Sequence, residues 1–514
     1  MEQVPDRTRF RPVSTLLRRH AEADPDKVFL QSAEDGRALT HAETLALCEG
    51  FAGVFAARGL APGDRLLVLS ENGLEQMALF MACLATGVTY CTINVEVNAQ
   101  HVAEMTRRLD PRLVVRGEGA ETLHPAGGAV ALGSLYDEAA SHPPAALPEI
   151  GEDGVAVIGF TSGTSAAPKG MIHNHGNYFW IADQTIDMWK LGPGDRVLEY
   201  RSISWPSTHM LTVMPMLVAG GTIILARRFS RGRFFDWIAD FRPTVTIGVP
   251  TVVNMLLDGD APPPRAGFAG VRFMSSSTAP LMVSAHRRFE ATYGIELMQL
   301  YGMSEGGVVA GNHVGTRRIG SVGRPGLYQN LRILDADGAP AKAGEAGEIE
   351  IGGAQNASAY LLEGGEEVPI RGTRFKTGDV GYLDEDGFLH VTGRAKDLII
   401  RGGVNIAPLE IDNALARHED VAEAATVGVP DPIYGEAVVS YVVARVGARL
   451  AREELAHHCA ALLPEFKRPR EIVLRDALPK NASGKIDRTA LRAEWEASKV
   501  GSGRAAGGRC GDAR

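Results

Sequence analysis

The strongest constraint on the fold is an alternation of short apolar strands with apolar helices along the first half of the chain. Between Phe51 and Val95 the order reads helix, strand, helix, strand. "DRLLVLS" is a short apolar strand, "GLEQMALFMACLATG" an apolar helix closed by Gly87, and "TYCTIN" the next strand. Strands that return in the same direction need a crossover, so this order predicts an α/β layer with a parallel sheet. The pattern recurs as "GGTIILA" strand, "RGRFFDWIADF" helix, "PTVTIGV" strand, "PTVVNMLLD" helix and "VRFMSSS" strand, with no fixed period.

After Ser321 the texture changes. "LRILDADGAP", "GEIEIGG" and "GYLDEDGFLHVTG" alternate apolar and polar residues between Gly- and Asp-rich turns. That reads as an antiparallel β subdomain. Beyond "GRAKDLII" a compact α/β region follows: a helix at Pro408 to Arg417, strands at "EAATVGV" and "AVVSYVVAR", and a helix at "REELAHHCAALLP". The last residues, "GSGRAAGGRCGDAR", have the composition of a disordered tail. A chain of 514 residues implies several domains at roughly 100–200 residues each.

Charge and cysteine content narrow the function classes. The formal net charge of −9 argues against a general nucleic-acid surface, and leaves phosphate ligands open because they need only local positive charge. The five cysteines are scattered and form no C-x-x-C pair, which fits a reduced, cytoplasmic protein without a disulfide framework or a zinc site. The N-terminal segment is charged and has no apolar signal core. The longest apolar stretch, Met210 to Ala226, is broken by Pro215 and Gly220-Gly221 and is too short for a membrane span.

Four segments carry chemistry. The first is "FTSGTSAAPKG", Phe160 to Gly170. Hydroxyls and Gly-bordered backbone N–H groups wrap phosphate oxygens, and Lys169 adds a point charge. The preceding "VAVIGF" reads as a strand, so the loop falls at a strand's C-terminal end, where ligands collect in α/β sheets. The competing reading is an ordinary Gly/Ser turn. The second segment is "QLYGMSEGG", where Glu305 is either a solvated loop carboxylate or a magnesium ligand, and Tyr301 can stack on a base. The third runs through "FKTGDVGYLDEDGFLHVTGRAKDLIIRGGVNIAP". Asp379 there can accept from both hydroxyls of a ribose and Arg394 can add a second contact, against the plainer reading of an Asp capping a β-turn. The fourth, "LPKNASGKIDRTAL", places Lys485 in a Ser-Gly loop, a position where a lone lysine is ordinarily unremarkable.

Taken in this order over more than 300 residues, the four segments resemble the adenylate-forming superfamily: acyl-CoA synthetases, nonribosomal adenylation domains and firefly-type luciferases. The resemblance covers roughly residues 15 to 495. It implies a large N-terminal domain of two α/β subdomains plus a β-barrel, and a small, mobile C-terminal α+β domain after a hinge. The expected boundaries are 1–395 for the AMP-binding domain, with the barrel at about 321–394, then 396–500 for the C-terminal domain and 501–514 for the tail. It also implies a two-step reaction with ATP, Mg2+ and coenzyme A. A carboxylate attacks the α-phosphate to give acyl-AMP and pyrophosphate, and a thiol then displaces AMP.

Carried over by matching motif, Thr161, Ser162, Gly163, Thr164 and Lys169 fall in the phosphate loop, and Ser277, Thr278, Ala279 and Pro280 in the segment that lies against adenine. Tyr301 matches the adenine-stacking aromatic, Ser304 a threonine near the α-phosphate, and Glu305, with Thr164, the magnesium ligands. Asp379 and Arg394 match the ribose contacts, Lys396 the hinge, and Gly403 the backbone bordering the pantetheine tunnel. Lys485 matches the lysine that bridges acyl carboxylate and phosphate; with Thr164, Glu305 and Lys169 it forms the implied catalytic set. The chain departs from the usual T-T-G at Thr164-Ser165-Ala166, where the added methyl of Ala166 removes backbone freedom.

Amino-acid-activating members place an Asp just after an aromatic in the segment matching "SISWPSTHM", whereas here Trp205 is followed by Pro206. The Trp205–His209 spacing is similar to acetyl- and medium-chain acyl-CoA synthetases, but Gly302 stands where acetate-specific members have tryptophan. The acid is therefore expected to be larger than acetate. Pocket candidates are Trp205, His209, Val249, Val253, Ser276, Gly302, Gly306 and Val308, with His209 equally readable as a packed histidine. A stretch from Arg227 to Leu256 is also similar to crotonobetaine/carnitine-CoA ligases. An acid–CoA ligase leads this reading, ahead of an acyl-AMP ligase loading a carrier protein and of an inactive nucleotide-binding relative. The expected partners are a small carboxylic acid and coenzyme A, with no nucleic acid, no membrane span and a possible homodimer.

Overall fold

The computed structural model describes residues 9–120, 123, 128–160, 169–257, 265–480 and 485–506. The strand–helix alternation builds two large sheets. In the first, eight strands lie in the order 367–369, 359–361, 170–174, 155–160, 89–92, 65–69, 113–116 and 129–131. Its core strands run parallel, and Leu66, Leu67 and Val68 face Tyr90, Cys91 and Thr92 in register. The connecting helix Leu74–Thr86 is buried almost all round, which explains why its sequence is apolar throughout rather than striped. Its Phe80 is fully buried, and truncating such a ring to alanine costs about 3–5 kcal/mol.

The second sheet has nine strands, in the order 324–325, 307–311, 296–303, 273–276, 245–246, 196–199, 222–225, 28–32 and 38–40. Its central strands are parallel, and antiparallel strands close both edges. Parallel strands deliver all their C-terminal ends to one side, and the segments that begin at Ser277 and Ser304 follow strands of this sheet there. "PTVTIGV" forms only a two-residue strand, Val245–Thr246. The chain then turns at Gly248, where a Cβ would meet the Ser275 carbonyl at 2.6 Å.

The Gly/Asp-rich region after Ser321 contains a four-stranded antiparallel sheet, ordered 332–334, 347–351, 375–383 and 389–394. Two further strands of that stretch, Ala359–Leu361 and Glu367–Pro369, pair outward. Tyr360 lies opposite Met171, so this segment extends the eight-stranded sheet instead. A separate five-stranded sheet follows, built from 404–406, 399–401, 435–444, 421–431 and 471–475. It carries its own apolar clusters, one on each face of the 421–431 strand. The fold is thus α/β, with a large N-terminal part and a small C-terminal one. Cys48, Cys83, Cys91 and Cys459 are buried free thiols. No helix among the described residues is long and apolar enough to cross a membrane.

Candidate active site

Asp379 is the centre of the site. It lies inside the strand Phe375–Leu383 rather than at a turn, directly opposite Arg394 on the neighbouring strand. Cross-strand pairing brings Arg394 Nε within 2.7 Å of one Asp379 carboxylate oxygen, and the Tyr301 hydroxyl donates to the other. The Asp379 main-chain N–H donates to Thr377 Oγ1 at 3.1 Å. Burial raises the carboxyl above its ordinary value, while Arg394, the Tyr301 bond and Lys485 pull it back. The same burial, with Asp379 adjacent, holds the Tyr301 phenol well above its usual range.

Lys485 reaches this cluster from the C-terminal part. Burial and the positive charge of Arg394 lower its ammonium pKa below the ordinary lysine value, and Asp379 offsets part of that. Two groups far apart in sequence are therefore electrostatic neighbours. Lys169, just before the strand Gly170–Asn174 of the eight-stranded sheet, has its Nζ 5.0 Å from the Tyr360 ring centroid. Glu305 completes the arrangement. Burial raises its carboxyl, Lys169 and Arg394 oppose the rise, and Asp379 adds to it.

The turn carrying Ser304 and Glu305 is held through its backbone. The Ala357 N–H donates to the Glu305 carbonyl at 2.8 Å, and the Gln329 and Gln355 amides donate to the Gly306 carbonyl at 2.6 and 3.0 Å. Sequence reasoning missed Gln329, Gln355 and Tyr360. The one signal for Gln355 and Tyr360 was "GGAQNASAYL", whose run of small residues breaks the alternation after "GEIEIGG"; Gln329, in "GLYQN", had none. Tyr360 is itself perturbed, its phenol pushed up to about 12 by burial and by Glu305.

The segment expected against adenine follows the strand Phe273–Ser276. Ser277 is buried, while Thr278 and Pro280 are exposed and Ala279 half-buried. Thr278 has φ +79°. A β-branched residue in the left-handed region is sterically strained, and such strain concentrates at ligand sites. Thr161, Ser162, Gly163 and Thr164 lie outside the described residues, so of the phosphate loop only Lys169 is placed. Lys396 is exposed in the short turn Ala395–Asp397 between the two sheets. Gly403, at φ +82°, makes the hairpin turn between 399–401 and 404–406, which needs left-handed backbone.

The pocket candidates divide. Trp205 and Val249 are half-buried at the sheet's C-terminal edge. The Ser276 hydroxyl is buried and has no hydrogen-bond partner among the described residues. Val253 is fully enclosed in the apolar layer with Phe234 and Trp237, and Val308 is enclosed in the main core. Their side chains pack the protein rather than face a ligand. A Cβ on Gly306 would meet Ile351 at 2.4 Å.

His209 is also committed to the protein. Its ring is buried and stacked on Phe80 at 4.4 Å. Nε2 is 2.6 Å from the Ile203 carbonyl and Nδ1 is 3.0 Å from the Tyr178 hydroxyl. A carbonyl only accepts, so Nε2 holds the proton and Nδ1 accepts from Tyr178. Burial lowers its pKa to about 3, so the ring stays neutral at ordinary pH. It opens a π-helical turn, His209–Val213, within the helical stretch that starts at Pro206.

The reason for Gly302 also changes. A Cβ there would lie 2.5 Å from the Gly307 carbonyl oxygen on the adjoining strand. The glycine is required by a close backbone approach beside the bulge at Tyr301/Gly302. It is not simply a vacated side-chain volume.

This arrangement brings together two buried carboxylates, Asp379 and Glu305, and three cations, Arg394, Lys169 and Lys485. The AMP-binding enzyme family model matches residues 17–361, and the AMP-binding enzyme C-terminal domain matches 410–485. Sulfoacetate–CoA ligase of Cupriavidus necator is 37% identical over 94% of this chain and 97% of its own length. Feruloyl-CoA synthase of an Amycolatopsis species is 32% identical over 88% of this chain and 93% of its own. The crystal structure of ATP-bound MatB from Rhodopseudomonas palustris superposes with a TM-score of 0.84 at 29% identity, covering 94% of this chain and 99% of that one. The chain belongs to the AMP-binding enzyme family, in its adenylate-forming acyl-CoA ligase branch.

Proposed function

We propose that this ligase activates a short acid, larger than acetate, that carries a second polar group, and that Lys485 governs the adenylation step. The reaction is that of an ATP-dependent acid–CoA ligase: the acid's carboxylate displaces pyrophosphate from ATP, and the coenzyme A thiol then displaces AMP. What supports the mechanism is that half-buried Lys485 lies close enough to Asp379 and Arg394, groups of the other part of the chain, for their charges to act on it.

Asp379 keeps unused lone pairs on both oxygens, so it accepts from ribose hydroxyls while Tyr301 and Arg394 hold it in place. The Tyr301 ring then lies where an adenine stacks. Lys485 brings a cation to the carboxylate–phosphate junction, where charge develops in the transition state. One such contact is worth roughly 3 kcal/mol. Lys169 and the hydroxyls of Thr161, Ser162 and Thr164, with the Gly163 N–H, hold the departing phosphates. Glu305 suits a magnesium ion, because a buried carboxylate whose charged form is penalised gains most from a cation. When bound with Thr164, that ion neutralises phosphate charge. Gly403 and Lys396 belong to the part that changes partners for the thioester step.

The acid is read from three features. Trp205 and Val249 are half-buried, the Ser276 hydroxyl has no hydrogen-bond partner among the described residues, and backbone fills the space beside Gly302. Sulfoacetate, the acid named for the 37% identical relative, is of this kind. The buried free thiols fit a reducing cytoplasm.

The test is pyrophosphate release over short, branched, aromatic, dicarboxylic, sulfonated and betaine-type acids, with and without coenzyme A. A short acid with a second polar group should lead, and coenzyme A should yield AMP and thioester together. A preference for aromatic acids would remove the substrate reading. Adenylate formation without a coenzyme A product would point to a carrier-protein acceptor.

A further inference from the structure

The C-terminal part contains a buried carboxylate that the site does not use. Asp412 lies on the helix Pro408–Leu415 and is fully buried. Its partner is Arg488, whose Nη2 donates to the Asp412 carboxylate. Arg488 is the first residue of the helix Arg488–Ala506 and follows Lys485 by three positions.

Arg488 works across an open sheet edge. Among the described residues the strand Val421–Asp431 pairs on one side only, with Gly435–Ala444. Ala424 belongs to the apolar cluster with Ile411 and Leu415, and Ala425 to the one with Leu478 and Leu491. Neighbouring strand residues point to opposite faces, so these clusters lie on opposite sides of the strand. Arg488 Nε donates to the Thr426 carbonyl at 3.2 Å while Nη2 reaches Asp412. The guanidinium thus ties the last helix to the Asp412 helix and to the strand between them.

The foot of the Lys485 loop is pinned by the same stretch. Lys480 and Ile486 form a β-bridge, the Asp487 N–H donates to the Pro479 carbonyl at 2.9 Å, and Lys480 Nζ donates to Glu423 at 2.7 Å. Three residues of chain span at most about 10 Å, so the place of Arg488 bounds where Lys485 can be. Burial raises the Asp412 carboxyl to about 6 in spite of Arg488. Apolar residues of similar volume often serve stability as well as a buried ion pair, so stability alone is weak grounds for this one.

We propose that Asp412 is a positioning residue for adenylation, fixing through Arg488 the foot of the loop that presents Lys485 to Asp379 and Arg394. This rests on the role given to Lys485 above. It is specific to one half-reaction, because Lys485 is used in adenylation and not in thioester formation.

The test uses the full chain with Asp412→Asn and Arg488→Lys, and Lys485→Ala as reference. The readouts are acid-dependent ATP–pyrophosphate exchange and thioester formation from coenzyme A and supplied acyl-AMP. Asp412→Asn should lower the kcat of exchange on the order of 10–100-fold, the scale of an ångström-sized misplacement, with the KM for ATP and the thioester step within about twofold. Arg488→Lys keeps the cation but loses the fork, and should show a smaller loss confined to exchange. If Asp412→Asn does not yield folded protein, Arg488→Lys decides alone. Unchanged exchange, or equal losses in both half-reactions, overturns the proposal. Normal exchange in Lys485→Ala would instead overturn the reading of Lys485 itself.

Discussion

Asp379 and Asp412 are both buried carboxylates paired with an arginine, and they sit in the two parts of the chain. In both, burial raises the carboxyl. The partners differ. The Arg394 side chain is 52% exposed, and Asp379 has a second donor in Tyr301. The Arg488 side chain is 24% exposed and spans Asp412 and a strand carbonyl. One pair is open toward solvent on its cationic side, which suits a group that must accept a ligand. The other is closed and ties elements together, which suits a clamp.

The largest expected effect breaks the comparison if it fails. Arg488→Ala leaves Asp412 buried without its cation, with only Thr426 beside it, and should lower the stability of the C-terminal part by about 3–5 kcal/mol. Arg394→Ala should cost about 1 kcal/mol or less, because Tyr301 still donates to Asp379. Urea unfolding of the two variants checks this, and equal losses would mean the pairs are not different in kind.

The next effect concerns pH. An unfolded aspartate titrates near 3.8 and native Asp412 near 6. Between these values the native state holds a proton that the unfolded chain has released. Asp412's contribution therefore falls as pH rises from about 4 to about 6, by on the order of 2–3 kcal/mol. It is fully favourable below that window. Asp412→Asn should flatten this part of the wild-type stability curve. An unaltered slope in the variant would show that other groups set it.

A smaller effect tests the open pair. Asp379→Asn removes a charged acceptor worth about 1.5–3 kcal/mol, so kcat/KM for ATP should fall roughly 10–100-fold while the thermal midpoint stays near wild type. A large loss of stability with normal ATP use would make Asp379 the clamp. The smallest effect sharpens where the open site gets its shape. Gly302→Ala places a methyl 2.5 Å from the Gly307 carbonyl and should cost about 1–3 kcal/mol. A neutral result by thermal unfolding would restore the reading of Gly302 as vacated volume.

Much of the candidate site was legible because its proposed chemistry is local in sequence. Lys169, Glu305, Asp379, Arg394 and Lys485 each sit in a short segment whose residue types suit a phosphate, a cation or a ribose. The supporting contacts were not legible. Gln329 and Gln355 act through side chains folded onto the Gly306 carbonyl, and Tyr360 reaches the site only because its strand joins a sheet nearly 200 residues upstream in the chain. His209 had the spacing of a site residue, but Tyr178 and the Ile203 carbonyl occupy both its nitrogens.

By itself the sequence determined the alternation of strand and helix, the order of the chemical segments and the reaction they serve. Periodicity and short motifs express backbone and side-chain preferences that act over a few residues. The tertiary structure decided which buried charges meet, which polar groups lack partners and where backbone replaces side-chain space. Burial and pairing are properties of the packed chain, and they set the difference between the Asp379 site and the Asp412 clamp.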